Sequence, residues 1–114
     1  MGVLVMNWDT IERLLAEIRL LLEQYQVKYW TDYFAGLEEG FEIARVRELD
    51  WRRQELLNEL AELYGGMGSF NDYVITKLHG DAISRQDEFV VNEKLNHLRH
   101  QLATAIREAR AGTD

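Results

Sequence analysis

Apolar residues recur at i, i+3 and i+4 along Ile11, Leu14, Leu15, Ile18, Leu21, Leu22 and Tyr25, and Val91, Leu95, Leu98, Leu102, Ile106 and Ala109 form a second such stripe. Each stripe describes a helix with one face to bury, so the chain must fold by packing helices together. Asn7 or Asp9 is placed to cap the first helix, and Ser84 with Asp87 has capping-box spacing for the last, Asp replacing the usual Glu. The other face of the first helix carries Glu12, Arg19 and Glu23 and reads as solvated.

A second helix follows Gln26-Val27-Lys28, with Trp30, Tyr33, Phe34 and Leu37 on its apolar face. Gly40 is its expected end, because glycine takes the left-handed conformation without a Cβ clash. The alternative is a helix continuing through Phe41 and Ala44, at about 1 kcal/mol for each of Gly36 and Gly40 relative to alanine. Leu49, Leu56, Leu60, Leu63 and Tyr64 mark a third helix stopped by Gly65-Gly66. Arg53 falls among those leucines, either buried with a carboxylate partner or laying its stem on the core with its head in water. From Ser69 to Ile83 helical spacing disappears, and Tyr73-Val74-Ile75-Thr76 has strand character. A turn at His79-Gly80-Asp81 predicts a short hairpin, or else one extended segment lying on the helices. Residues 1–114 therefore read as a single helical domain, mainly α, a four-helix-type bundle with a short β-hairpin between helices 3 and 4.

Composition narrows the function. The 114 residues contain no cysteine, which excludes disulfides, thiolate zinc sites and thiol nucleophiles, and no proline, which suits helices joined by glycine-containing turns. No apolar run approaches the ~20 residues of a membrane span. Residues 1–6 lack a basic region and a long apolar run, so no signal peptide is expected, and Met6 stands where myristoylation of Gly2 wants Ser or Thr. A cytoplasmic location is expected. The net charge of −7 argues against nucleic acid, which needs clustered cations. Residues 1–40 hold seven acids against three bases, and such an acidic front favours a partner with a basic surface.

The least generic stretch is Gly65-Gly66-Met67-Gly68-Ser69-Phe70-Asn71-Asp72. Phosphate-binding glycines open a helix, where the dipole is positive, whereas these close one. They read as a helix cap and tight turn, with Phe70 plugging the core, or as a binding site. This stretch resembles the signature of an uncharacterised bacterial domain family in which it follows helices and precedes a final one; Leu95, Leu98 and Leu102 match only as an ordinary leucine pattern. The family supplies no activity, but its small acidic helical members are similar to immunity proteins of polymorphic toxin systems. That resemblance implies neutralisation of a toxin by direct binding.

Other chemistry is weakly represented. His97 and His100, with Glu93 one turn earlier, share a face opposite the leucine stripe and lack ligands from a second helix, so no metal is expected. His79 has no evident carboxylate or nucleophile partner, and no Gly-x-Ser-x-Gly elbow positions a serine. Neither catalysis nor a cofactor is expected. Trp51 lies opposite the leucines of the third helix, with Arg47, Glu48, Glu55, Asn58 and Glu62, and is either a binding anchor or covered by another element. The partner-binding residues read from this pattern are Trp51, Glu48, Glu55, Glu62, Glu12 and Glu23, meeting the basic surface of a toxin domain. A structural or self-associating helical module, present as monomer or homodimer, is the alternative. A small-ligand or enzymatic domain built on the aromatic second helix and the Gly65–Asp72 turn is third.

Overall fold

Helix α1 (Trp8–Gln24) buries Ile11, Leu14, Leu15, Ile18, Leu21 and Leu22, the stripe read from its spacing. The structure is a computed structural model in which residues 8–64 and 70–111 are described. Asp9 falls inside the first turn of α1 instead of capping it, and Asn7 lies outside the described residues. Helices α2 (Lys28–Val46), α3 (Asp50–Glu62) and α4 (Arg85–Ala111) follow. Each runs antiparallel to its predecessor: Arg19 and Glu12 of α1 meet Glu38 and Arg45 of α2, Tyr33 of α2 meets Glu59 of α3, and Tyr64 beyond α3 meets Arg99 of α4. Helix α4 returns alongside α1, and the buried residues of all four form one core.

Helices α1 and α2 end in the same way, and neither uses glycine. Gln26 and Glu48 take left-handed φ of 57° and 55°. The Gln26 N–H donates to the Glu23 carbonyl and the Val27 N–H reaches back to Leu22, while Glu48 and Leu49 repeat the pattern on Arg45 and Ala44. These are Schellman caps, with Val27 buried behind the first. Gly40, the expected stop, lies inside α2. Its lack of a side chain lets α3 approach, since a Cβ there would sit 3.2 Å from Leu56 Cδ2. Continuing the helix buries Phe41 and Ala44 completely, and one buried Phe contributes roughly 1.5–3 kcal/mol, enough to offset the glycine penalty.

The expected hairpin is absent: the described residues contain no strand. Between α3 and α4, short 3₁₀ turns at Phe70–Asp72 and Lys77–His79 flank an extended stretch. The backbone of Ile75 is satisfied by a side chain. The Asn92 carboxamide accepts from the Ile75 N–H at 2.8 Å and donates to the Ile75 carbonyl at 2.8 Å, as a neighbouring strand would. Asp81 accepts from the Thr76 N–H and the Tyr73 hydroxyl, Glu88 from the Lys77 N–H and the Thr76 hydroxyl, and the Ala82 N–H donates to the Tyr25 carbonyl. With its hydrogen bonds taken by Tyr25, Asp81 and the side chains of α4, the segment needs no second strand. The Ser84 hydroxyl donates to the Asp87 carboxylate at 2.8 Å at the start of α4.

Candidate protein-binding surface

Helix α3 turns Leu56, Leu57 and Leu60 inward, which carries Trp51 to the outside. Trp51 is 61% exposed, and no other described element covers it. Before it, α2 ends with Val46 67% and Ile43 43% exposed, so three large apolar side chains flank the corner between α2 and α3. The corner is tight because Glu48 takes the left-handed conformation between them. Glu48, Glu55, Asn58 and Glu62 are all exposed, Glu55 pairing with Arg52 at 3.2 Å. Glu59, between them, accepts from the Tyr33 hydroxyl at 2.9 Å. Burial, and then that carboxylate, raise the Tyr33 hydroxyl above the usual tyrosine range.

The acids of α1 do not join this face as the sequence suggested. Glu12 is half-buried between helices, facing Arg45 at 3.4 Å, and its second carboxylate oxygen is buried without a partner. Glu23 is exposed but pairs with Arg19, which also holds Glu38 of α2. That bond to Glu38, opposed by some burial, raises the Arg19 guanidinium above its ordinary value. Near the corner, Arg53 is half-buried and has a carboxylate neighbour, as the first of its two expected forms requires, with an aromatic ring added. Its guanidinium lies 5.2 Å from the Trp8 ring centre, Asp50 is 3.8 Å from one terminal nitrogen, and Nε has no acceptor. The cation is thus shared between a ring face and a carboxylate.

Of the signature, Gly65, Gly66, Met67, Gly68 and Ser69 lie outside the described residues, as does the expected glycine stop of α3. Phe70 is fully buried against Trp30 and Phe34, at 4.9 and 4.7 Å between ring centres. Asn71 and Asp72 are exposed, and the Asn71 N–H donates to the Leu63 carbonyl. Arg99 was missed from the sequence: only 5% exposed, it donates through Nη1 to the carbonyls of Phe70 at 2.6 Å and Tyr73 at 2.8 Å. Burial lowers its pKa. The signal was present, because Leu95, Leu98, Arg99 and Leu102 follow i, i+3, i+4, i+7, a cation in an apolar register.

His97, His100 and Glu93 are exposed on α4, and His79 Nδ1 lies 3.1 Å from the Val74 carbonyl. Among the described residues, no three His, Cys, Asp or Glu side chains gather as a metal site, and no helix is long and apolar enough to cross a membrane.

Residues 23–84, more than half of the chain, match the sequence model of a family described as a domain of unknown function (DUF6966). The match runs from the end of α1 to the start of α4 and includes the α2–α3 corner. No curated protein and no solved structure matches the chain.

Proposed function

The chain belongs to the DUF6966 family, and from that premise we propose that it is a protein-binding module of the immunity or antitoxin type, neutralising a bacterial toxin by direct contact. The observation that carries this reading is the exposure of Trp51 beside Val46 and Ile43 at the tight corner between α2 and α3. Large aromatic side chains in water favour occlusion by a partner, and tryptophan is the residue most enriched among interface hot spots. Glu48, Glu55 and Glu62 supply an acidic rim for a basic toxin surface. Occlusion of a toxin's active site needs no cofactor and no chemistry from this chain, which would act in the cytoplasm.

The experiment is stopped-flow binding to the product of the neighbouring reading frame across a salt series. Rim charges steer encounter, and the anchor governs escape. Association should slow as salt rises, and Trp51→Ala should cost about 2 kcal/mol, seen as roughly thirtyfold faster dissociation. A salt-independent association rate together with unchanged binding by folded Trp51→Ala would refute the reading. A second reading, a self-associating helical module, is favoured by Phe89 and Val90, 73% and 67% exposed and adjacent on α4. Light scattering decides it: a monomer at all concentrations excludes that reading.

A further inference from the structure

Away from the α2–α3 corner, Tyr64, Asn71, Asn96, Arg99, His100 and Ala103 line a cleft of 290 Å³ between the end of α3, the first 3₁₀ turn and α4. We propose that this cleft binds a small carboxylate monoanion, with the Arg99 guanidinium as its counter-charge.

Arg99 is buried, yet no described carboxylate lies within ion-pair distance of it. Buried charges are ordinarily paired, because removal from water costs several kcal/mol per ion. Among the described residues the direct contacts of Arg99 are neutral groups: the Phe70 and Tyr73 carbonyls, the Asn96 carboxamide oxygen and the Phe70 ring at 5.4 Å. Asp72 acts on Arg99 only from beyond ion-pair reach. A guanidinium has five N–H donors. Three are used, the pair on Nη1 and one on Nη2, which leaves Nε–H and the second Nη2–H without an acceptor among the described residues. Such donors match the two oxygens of a carboxylate.

The lining sets the class of acid. One guanidinium balances one negative charge, and the net charge of −7 opposes a dianion more than a monoanion. A water's share of liquid volume is about 30 Å³, so the cleft holds a ligand the size of about ten waters, a small organic acid or the end of a peptide. Asn71, Asn96 and His100 offer polar contacts to its body, and Ala103 gives an apolar wall. The Tyr64 hydroxyl has its proton committed to the Arg99 carbonyl at 2.7 Å, so it presents a lone pair.

The test is an NMR titration of labelled protein with sodium acetate, benzoate and inorganic phosphate, sodium chloride serving as the ionic-strength control. A free-acid source and a peptide source are separated by a short peptide with a free C-terminus and its amidated form. Saturable shifts of the Arg99 Nε–H and the Asn71 and Asn96 side-chain amides are expected with carboxylates and not with chloride. Ala103→Phe, which fills the cleft without removing a polar group, should weaken binding at least about tenfold while the spectrum stays dispersed. Binding through Trp51 should be unaffected by that variant, so the two proposals fail separately. Shifts that merely follow ionic strength, tighter binding of phosphate, or full binding by Ala103→Phe would overturn the proposal.

Discussion

Replacing Asn92 with Ala tests why the chain between α3 and α4 holds its shape without a sheet. The Asn92 side chain makes three hydrogen bonds, two to the Ile75 backbone at 2.8 Å and one from Nδ2 to the Glu88 carbonyl at 2.7 Å. Ile75 is fully buried, so water does not readily replace the lost partners. Leaving a buried donor or acceptor unsatisfied costs about 1–3 kcal/mol, and the Ile75 N–H and carbonyl together give roughly 2–4 kcal/mol after partial relaxation. At about 4 °C per kcal/mol for a domain of this size, Tm should fall by roughly 8–16 °C. Asn92→Asp is the sharper variant, since it keeps the acceptor for the Ile75 N–H and turns the donor into an oxygen facing the Ile75 carbonyl. It should destabilise at least as much as Asn92→Ala despite its matching shape. The assay is equilibrium urea unfolding, paired with hydrogen exchange at the Ile75 amide, which should lose protection in both variants. A loss below about 0.5 kcal/mol for Asn92→Ala, with Ile75 still protected, would show that the extended stretch is held by Ile75 packing alone.

The helical glycines and the left-handed turns should each be stabilised by opposite substitutions. Gly36→Ala should stabilise α2 by about 1 kcal/mol because nothing meets the added Cβ, and Gly40→Ala should gain less because Leu56 must give way. Gln26→Gly should gain about 0.5–1 kcal/mol by relieving the left-handed strain; urea midpoints order all three, and a destabilised Gly36→Ala would refute a continuous α2. In alkali, Tyr33, Tyr64 and Tyr73 should act together, as burial raises each above its usual 10. Their folded pKa values exceed the unfolded value, so this stability is full below pH 10 and is lost as pH rises through the folded values. Tyrosinate absorbance should therefore rise with cooperative unfolding, and three independent titrations at the ordinary value would contradict it.

The helix faces were legible in the sequence because burial follows a fixed angle per residue. Every residue of the α1 stripe from Ile11 to Leu22 is buried, and every one from Val91 to Ala109 on α4. Boundaries were less legible, because the rule that glycine ends a helix was broken at both ends. Gly36 and Gly40 sit inside α2, one in open space and one against Leu56, while the left-handed caps fell to Gln26 and Glu48. The extended segment was recognised, but its partner was a carboxamide on α4 rather than a second strand, and residue spacing does not encode a contact between positions 75 and 92.

The site was legible only where one helix decides it. That Trp51 lies opposite Leu56 and Leu60 follows from its own helix, whereas its exposure required the structure to show that no other described element covers it. Glu12 is different. It sits one residue, or 100°, from buried Ile11, one turn below Leu15 and two turns below Arg19, along the edge where α1 meets α2. At such an edge a solvated acid and an interhelical tie have the same spacing, and only the rotation of the second helix, which brings Arg45 and Glu38 opposite, separates them. The acidic front inferred from composition is therefore partly consumed in joining α1 to α2. The exposed carboxylates of α3 lie next to Trp51, so on the proposed function steering charge and apolar anchor share one short helix. Reversing Glu55 and Glu62 to Lys should consequently slow association at low salt while leaving the stability of the α1–α2 pair unchanged, whereas Glu12→Lys should reduce stability, because it places a cation against Arg45. Urea unfolding of the two variants beside their association rates separates these roles, and equal destabilisation by both would mean that the α3 carboxylates belong to the fold rather than to the surface.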